Sequence, residues 1–360
     1  MEFCVMKLHQ SVTQFNCGID LHAKNMYLCV MDKEGKKLLH KNIETHDREC
    51  FLELLAPYRH DLTVACESTF NWYVVSDMCE DAGIPFVLGH AFYMKAIHQS
   101  KVKNDRADSE TIASLLRGNL LPVGYVCRRQ VRSVRDLFRR RAYLVRQRAA
   151  LEAHLTEMGY LYDFKATSQD FKRRTGRFQA YARQLPDDFG VQMSAAADLR
   201  LIEALRVEIL SIEKAVKRHA KGFDRELLDL LQTIPGAGAI ISMGILYEAD
   251  DFSRFADCGH FVSYCRLVTP LHESDGKVTG GGHRKSGNPY LKWMFSELNA
   301  ACRRHSSELN AFAQRLVSRH GPRKASCMLT HKLGRAVFHI ATERVPFNLE
   351  KFLGGPMKKR

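Results

Sequence analysis

The sequence predicts an α/β domain followed by a mostly helical region, and three observations lead there. Three strand-like segments with short connections lie near the start of the chain. Strand–helix–strand spacing follows them. Beyond Pro122 the pattern turns helical, first strongly basic and then punctuated by glycine.

Residues 15–32, FNCGIDLHAKNMYLCVMD, read as a strand, a polar break and a second strand. After an EGK turn, KLLHKNIET (37–45) reads as a third. Connections this short join antiparallel strands. A helix near 47–57 leads to LTVACES (62–68), a short buried-type strand. A helix over 70–82 and the strand IPFVLG (84–89) come next. Strands joined by a crossover helix pair in parallel. Helices near 91–99 and 106–118 close the unit. A three-stranded antiparallel ribbon running into a parallel βαβα segment is a ribonuclease-H-like order.

Residues 128–148, RRQVRSVRDLFRRRAYLVRQR, hold nine arginines in 21 positions. Leu137, Leu144, Leu151 and Met158 recur every seven residues, which gives a helix one apolar seam and a positive remainder. A second helix over about 196–219 carries Ile202, Leu205, Ile209, Ile212 and Val216 at coiled-coil spacing. The two helices can pair with each other or across subunits. The last third reads as helices near 288–305, 307–320 and 322–342, preceded by the tight turn Pro235-Gly236-Ala237-Gly238. The expected division is a catalytic domain over 1–125, a basic helical or coiled-coil spacer over 126–222, a second domain over 223–345, and a basic tail over 346–360.

A formal charge of +14 draws the chain to polyanions, chiefly nucleic acid. Nine arginines with few acids repel one another at helical spacing unless an anion lies between them. Arg128, Arg129, Arg132, Arg135, Arg139 and Arg140 are therefore candidate nucleic-acid contacts. Eleven cysteines are scattered without a CxxC pair, so neither zinc nor a disulfide framework is expected. The longest apolar run, residues 237–247, is too short for a bilayer, which needs about 20 residues. No membrane anchor or targeting signal is read, and the expected location is the bacterial cytoplasm, at the nucleoid when acting.

Four carboxylates stand out by position. Asp20 lies in the first strand, Glu67 ends the fourth, and Asp105 and Asp108 begin a helix. In a ribonuclease-H-like sheet the first strand lies beside the fourth and a late helix packs over both. Clustered hard oxygens suit Mg²⁺ or Mn²⁺, and two such ions can hold a phosphodiester for displacement. A second candidate region is VTPLHESDGKVTGGGHRKSGN (268–288), which holds five glycines, Ser274, Ser286, Lys277, His283, Arg284 and Lys285. The basic side chains can steady a nucleic-acid strand. A serine there can attack a phosphate if activated or merely cap a turn. His22 and His283 read as phosphate contacts or satisfied surface histidines.

GID (18–20), ES (67–68) and KNDRADS (103–109) resemble the DEDD motif of the bacterial IS-110 transposases, which include the Piv-type invertases. QTIPGAG, DCGHFVSYCRLVTP, HES and KSGNPYLKW resemble that family's C-terminal transposase domain. The resemblance covers about 15–125 and 225–342. It implies a RuvC-like N-terminal domain that binds Mg²⁺ or Mn²⁺, and a serine nucleophile placed at Ser274, with Ser286 as the alternative. It also implies a noncoding bridge RNA that pairs with donor and target DNA. The working particle it implies is a homo-oligomer, dimer or tetramer, in which the acidic site of one subunit meets the serine of another. Two other functions use the same residues: a RuvC-like endonuclease with water as nucleophile, and an inactive nucleic-acid-binding remnant.

Overall fold

The computed structural model describes residues 7–97, 104–164, 184–219, 223–268, 272–274, 277–280 and 287–354. The chain divides into two compact units, Met1–Arg129 and Gln130–Arg360.

The first unit is built on a five-stranded sheet of order β3-β2-β1-β4-β5. Its strands are β1 (Phe15–Leu21), β2 (Asn25–Met31), β3 (Lys37–Glu44), β4 (Leu62–Glu67) and β5 (Phe86–Gly89). As the turn lengths predict, β1 pairs antiparallel with β2 and β2 with β3, while β1–β4 and β4–β5 are parallel. β1 and β4 are central and buried along nearly their whole length, which is why both read as runs rather than alternations. The helices are α1 (Arg48–Leu55), α2 (Tyr73–Ala82), α3 (Ala91–Ile97) and α4 (Asp105–Arg117).

Helix α4 lies across the sheet on a close approach that only glycine permits. A Cβ at Gly18 would overlap the backbone of Ser109 and Ala113. The contact is extended by Ile112, Leu115 and Leu116, which bury against Ala65 and Val87, and by His40, whose Nε2 lies 3.2 Å from the Ser109 hydroxyl.

The second unit opens with two long helices, α5 (Arg129–Leu161, its first residue assigned to the first unit) and α6 (Phe189–His219). They pair with each other, antiparallel: Arg141 bridges to Glu213 and His154 to Asp198, so rising along one helix means descending the other. Leu155 and Met158 of α5 pack with Val191, Ala195 and Ile202 of α6. Then follow α7 (Arg225–Leu231), α8 (Ala239–Ala249), α9 (Cys258–Tyr264), the hairpin strands β6 (His272–Ser274) and β7 (Lys277–Gly280), α10 (Pro289–His305), α11 (Ser307–His320), α12 (Pro322–Glu343) and α13 (Leu349–Leu353). The core centres on Phe261, fully buried and ringed by Phe252, Phe255, Phe295 and Phe338. The Pro235-Gly236 turn presses on α10, where Gly236 adopts φ 81° and leaves no room for a side chain against Ala301.

Two expectations change. The glycine segment, read as a loop, contains the antiparallel pair β6–β7, in which Ser274 faces Lys277. The positive remainder of the arginine helix is partly covered. Of the expected seam, Leu144 and Met158 are buried and Leu137 and Leu151 half-buried, while the covered stripe also takes in Val131, Arg132, Arg135, Phe138 and Ala142. Arg132 and Arg135 are 4% and 7% exposed, so these two are corrected from nucleic-acid contacts to covered side chains. Most described cysteines are buried and all are free thiols, and no described helix is long and apolar enough to cross a membrane.

Glu248 is the one charged residue in the apolar helix α8. Its carboxylate is fully buried and accepts two bonds from Arg139, at 2.7 and 2.9 Å, and one from Asn288 Nδ2 at 2.7 Å.

Gly18→Ala should destabilise the chain by about 1–3 kcal/mol, as overpacking does. Glu248→Ala, which strands a partnered guanidinium, should cost about 3–5 kcal/mol. Melting curves followed by circular dichroism check both, and unchanged midpoints would refute the packing argument.

Candidate functional site

The acidic residues are brought together by register and helix phase. Gly18 and Asp20 share a face of β1, two residues apart, a rise of roughly 6.6 Å. Ser109 and Asp105 share a face of α4, four residues apart, a rise of about 6 Å. Because the Gly18 contact sets Ser109 on the strand, one step further in each element brings Asp20 to Asp105. Ile19 pairs with Cys66, so Asp20 and Glu67 come next on neighbouring parallel strands and point to one face. Asp108, one turn along α4, is close enough to act electrostatically on Asp20.

Among the described residues, one group offers donor atoms converging as a metal site would require: Asp20, His22 and Asp105, all within 4.8 Å of one another. His22 Nε2 lies 3.0 Å from Asp20 Oδ2 and 3.4 Å from Asp105 Oδ1. Asp20 is the sheltered member, its side chain 15% exposed against 45% for His22 and 48% for Asp105. Burial pushes the Asp20 carboxyl above the ordinary carboxylate range. The His22 ring pulls it back, and the carboxylates of Asp108 and Asp105 push it further up. Asn104 caps α4 by accepting from Arg106 N, and Asp105 and Asp108 lie in the first turn that follows.

Sequence reasoning passed over His22 as a member of this group. The only available signal was its place two residues after Asp20, in the turn between β1 and β2.

The second candidate region belongs to the other unit. Ser274 is the last residue of β6. The side chains of Ser274 and Lys277, and the whole of His283, Arg284, Lys285 and Ser286, lie outside the described residues. The stems of this segment are clamped together. Arg266 Nε donates to Gly287 O at 2.9 Å, and Asn288 N donates to Tyr264 O at 2.6 Å. Asn288 also caps α10 through Tyr290 N and Leu291 N, while its amide binds Glu248. Through Glu248 the hairpin's return stem is tied to Arg139 of α5, so Arg139 is committed to an internal ion pair. Arg128 and Arg140 are exposed, and Arg129 pairs with Asp77 and Asp81 at the surface.

Residues 17–158 match the family model for the DEDD transposases of IS110 elements, described as a transposase. Residues 228–314 match the model described as the transposase IS116/IS110/IS902 family. No curated protein matches the sequence.

The raised Asp20 carboxyl means that the folded chain holds that proton more tightly than the unfolded one. Ionised Asp20 therefore opposes folding at neutral pH, and the opposition fades as pH falls through the folded-state pKa. Without divalent cations, Asp20→Asn should melt at a higher temperature than the native chain at pH 7. The gap should narrow on acidification toward the ordinary carboxylate range. A variant that melts lower at pH 7 would contradict the assignment.

Proposed function

The chain belongs to the IS116/IS110/IS902 family of insertion-sequence transposases, and on that premise we propose that it cuts and rejoins DNA with a serine nucleophile and a carboxylate-held divalent cation. The single observation that carries the reading is the convergence of Asp20 and Asp105 from distant parts of the chain onto one point. Glu67 and Asp108 complete the set, the first by strand register and the second by its electrostatic reach to Asp20. This donor set fits Mg²⁺ or Mn²⁺. Asp20, Glu67, Asp105 and Asp108 would hold such a cation, which would supply charge neutralisation for phosphoryl transfer.

The chain's own residues do the rest. The Ser274 hydroxyl attacks phosphorus, forming a serine–phosphate ester as the bond to the deoxyribose oxygen breaks. The serine proton is given up and the leaving oxygen gains one, so the ester conserves the bond for religation. The clamped stems of the hairpin limit where Ser274 can go, and pre-positioning of this kind lowers the entropic part of the barrier. Lys277, His283, Arg284 and Lys285 would contact the strand, and Arg128 and Arg140 would contact its phosphates. We further propose three working parts, with boundaries near 125, 222 and 345, and a homo-oligomer in which Asp20 of one copy serves Ser274 of another. The partners are donor and target DNA and a structured noncoding bridge RNA. The working location is the bacterial cytoplasm.

The test incubates the protein with donor and target DNA, cognate RNA and Mg²⁺, followed by a denaturing gel. Ser274→Ala should lose the covalent protein–DNA species, and its cleavage should fall by at least about a thousandfold, as loss of a nucleophile does. Asp20→Asn should lose both. Full cleavage by Ser274→Ala without a covalent species would instead establish water as the nucleophile.

A further inference from the structure

The geometry points to His22 as a third metal ligand, one that biases the site toward Mn²⁺ over Mg²⁺; this inference rests on the carboxylate site proposed above. Two features of the turn between β1 and β2 carry it.

First, the imidazole is aimed at the carboxylates. Its Nε2 lies between Asp20 Oδ2, at 3.0 Å, and Asp105 Oδ1, at 3.4 Å. An N–H proton on that nitrogen can satisfy one oxygen well. A cation among the three donors engages all of them, and all three lie within 4.8 Å of one another.

Second, the backbone beneath the ring is held more firmly than an exposed turn requires. His22 N donates to Asn25 O at 3.0 Å, which closes the turn. His22 O accepts two side-chain bonds, from Thr45 Oγ1 at 2.9 Å and from Asn71 Nδ2 at 2.9 Å. Thr45 is fully buried at the end of β3, and its N donates to Lys24 O at 2.8 Å. Asn71 lies on the connection that leaves β4 after Glu67. The turn is thus fastened on one side to the residue that follows β3 and on the other to the connection that follows Glu67. Loop residues are ordinarily the mobile part of a domain; this one starts its side chain from a fixed point.

The chemical consequence follows from donor type. Carboxylates alone accept Mg²⁺, Ca²⁺ and Mn²⁺ alike, and adding an imidazole nitrogen favours transition metals over the alkaline earths.

The test uses the full-length native chain, Asp20→Asn and His22→Asn, each stripped of metal and loaded with Mn²⁺. Pulsed electron paramagnetic resonance reads nitrogen coupled to the manganese, calorimetry reads affinity for Mn²⁺ and Mg²⁺, and melting curves report folding. The expected result is nitrogen modulation in the native chain that disappears in folded His22→Asn. Mn²⁺ affinity should fall by at least the roughly tenfold that loss of an outer-shell partner costs, with a smaller change for Mg²⁺. Complete loss of Mn²⁺ binding by folded His22→Asn supports the assignment equally. Asp20-dependent Mn²⁺ binding without nitrogen modulation, or modulation that survives His22→Asn, overturns the role of His22 and leaves the carboxylate site standing. Absence of Asp20-dependent Mn²⁺ binding in the native chain overturns both.

Discussion

The acidic site is positioned by a contact that contains no acid: the bare backbone of Gly18 against Ser109 and Ala113. That approach fixes both the distance and the phase of α4 over β1. Two strand residues and four helix residues cover nearly the same length. A helix seated at Gly18 therefore delivers its first-turn carboxylates to the end of the strand. The apolar side chains along α4 hold the helix down, but glycine decides how close it comes. The consequence is electrostatic. Burial raises the Asp20 carboxyl, and the carboxylates of Asp108 and Asp105 gathered around it add to the rise against the pull of His22. Such a cluster is costly as it stands and becomes favourable with a cation among its members.

The second unit solves a related problem by the opposite means. Here one carboxylate, Glu248, sits alone in an apolar helix and is fully matched by Arg139 and Asn288. The match links α5, α8 and the start of α10, and it ends at the stem of the hairpin that carries Ser274. A completely satisfied buried network is rigid, whereas an incomplete one is destabilising. The first unit thus gathers several carboxylates around one histidine, and the second matches a single carboxylate with an arginine and an amide.

Much of this was legible in the sequence because it depends on local chemistry. Short polar breaks gave away the antiparallel strands, and a crossover helix gave away the parallel ones. The order of Asp20, Glu67, Asp105 and Asp108 on those elements pointed to a shared site; the structure brings Asp20 and Asp105 together, with Glu67 beside them by register. What escaped were features set by packing. Arg132 and Arg135 read as part of a charged face, because composition does not say which stripe of a 33-residue helix is covered. His22 looked like any turn histidine, since its fastening by Thr45 and Asn71 comes from residues 23 and 49 positions away. The β6–β7 pair was hidden among glycines, where strand propensity is weak. The two long helices carried a seam whose partner periodicity alone could not name.

The central claim is that the Gly18 contact assembles a cation site from β1 and α4. A crystal structure of the full-length chain grown with Mn²⁺, with an anomalous difference map at the manganese edge, tests it most directly. The expected result is an anomalous peak within coordination distance of Asp20 and Asp105, with α4 packed on Gly18. A map without a peak there, or with α4 displaced from β1 and the manganese bound elsewhere, would contradict it.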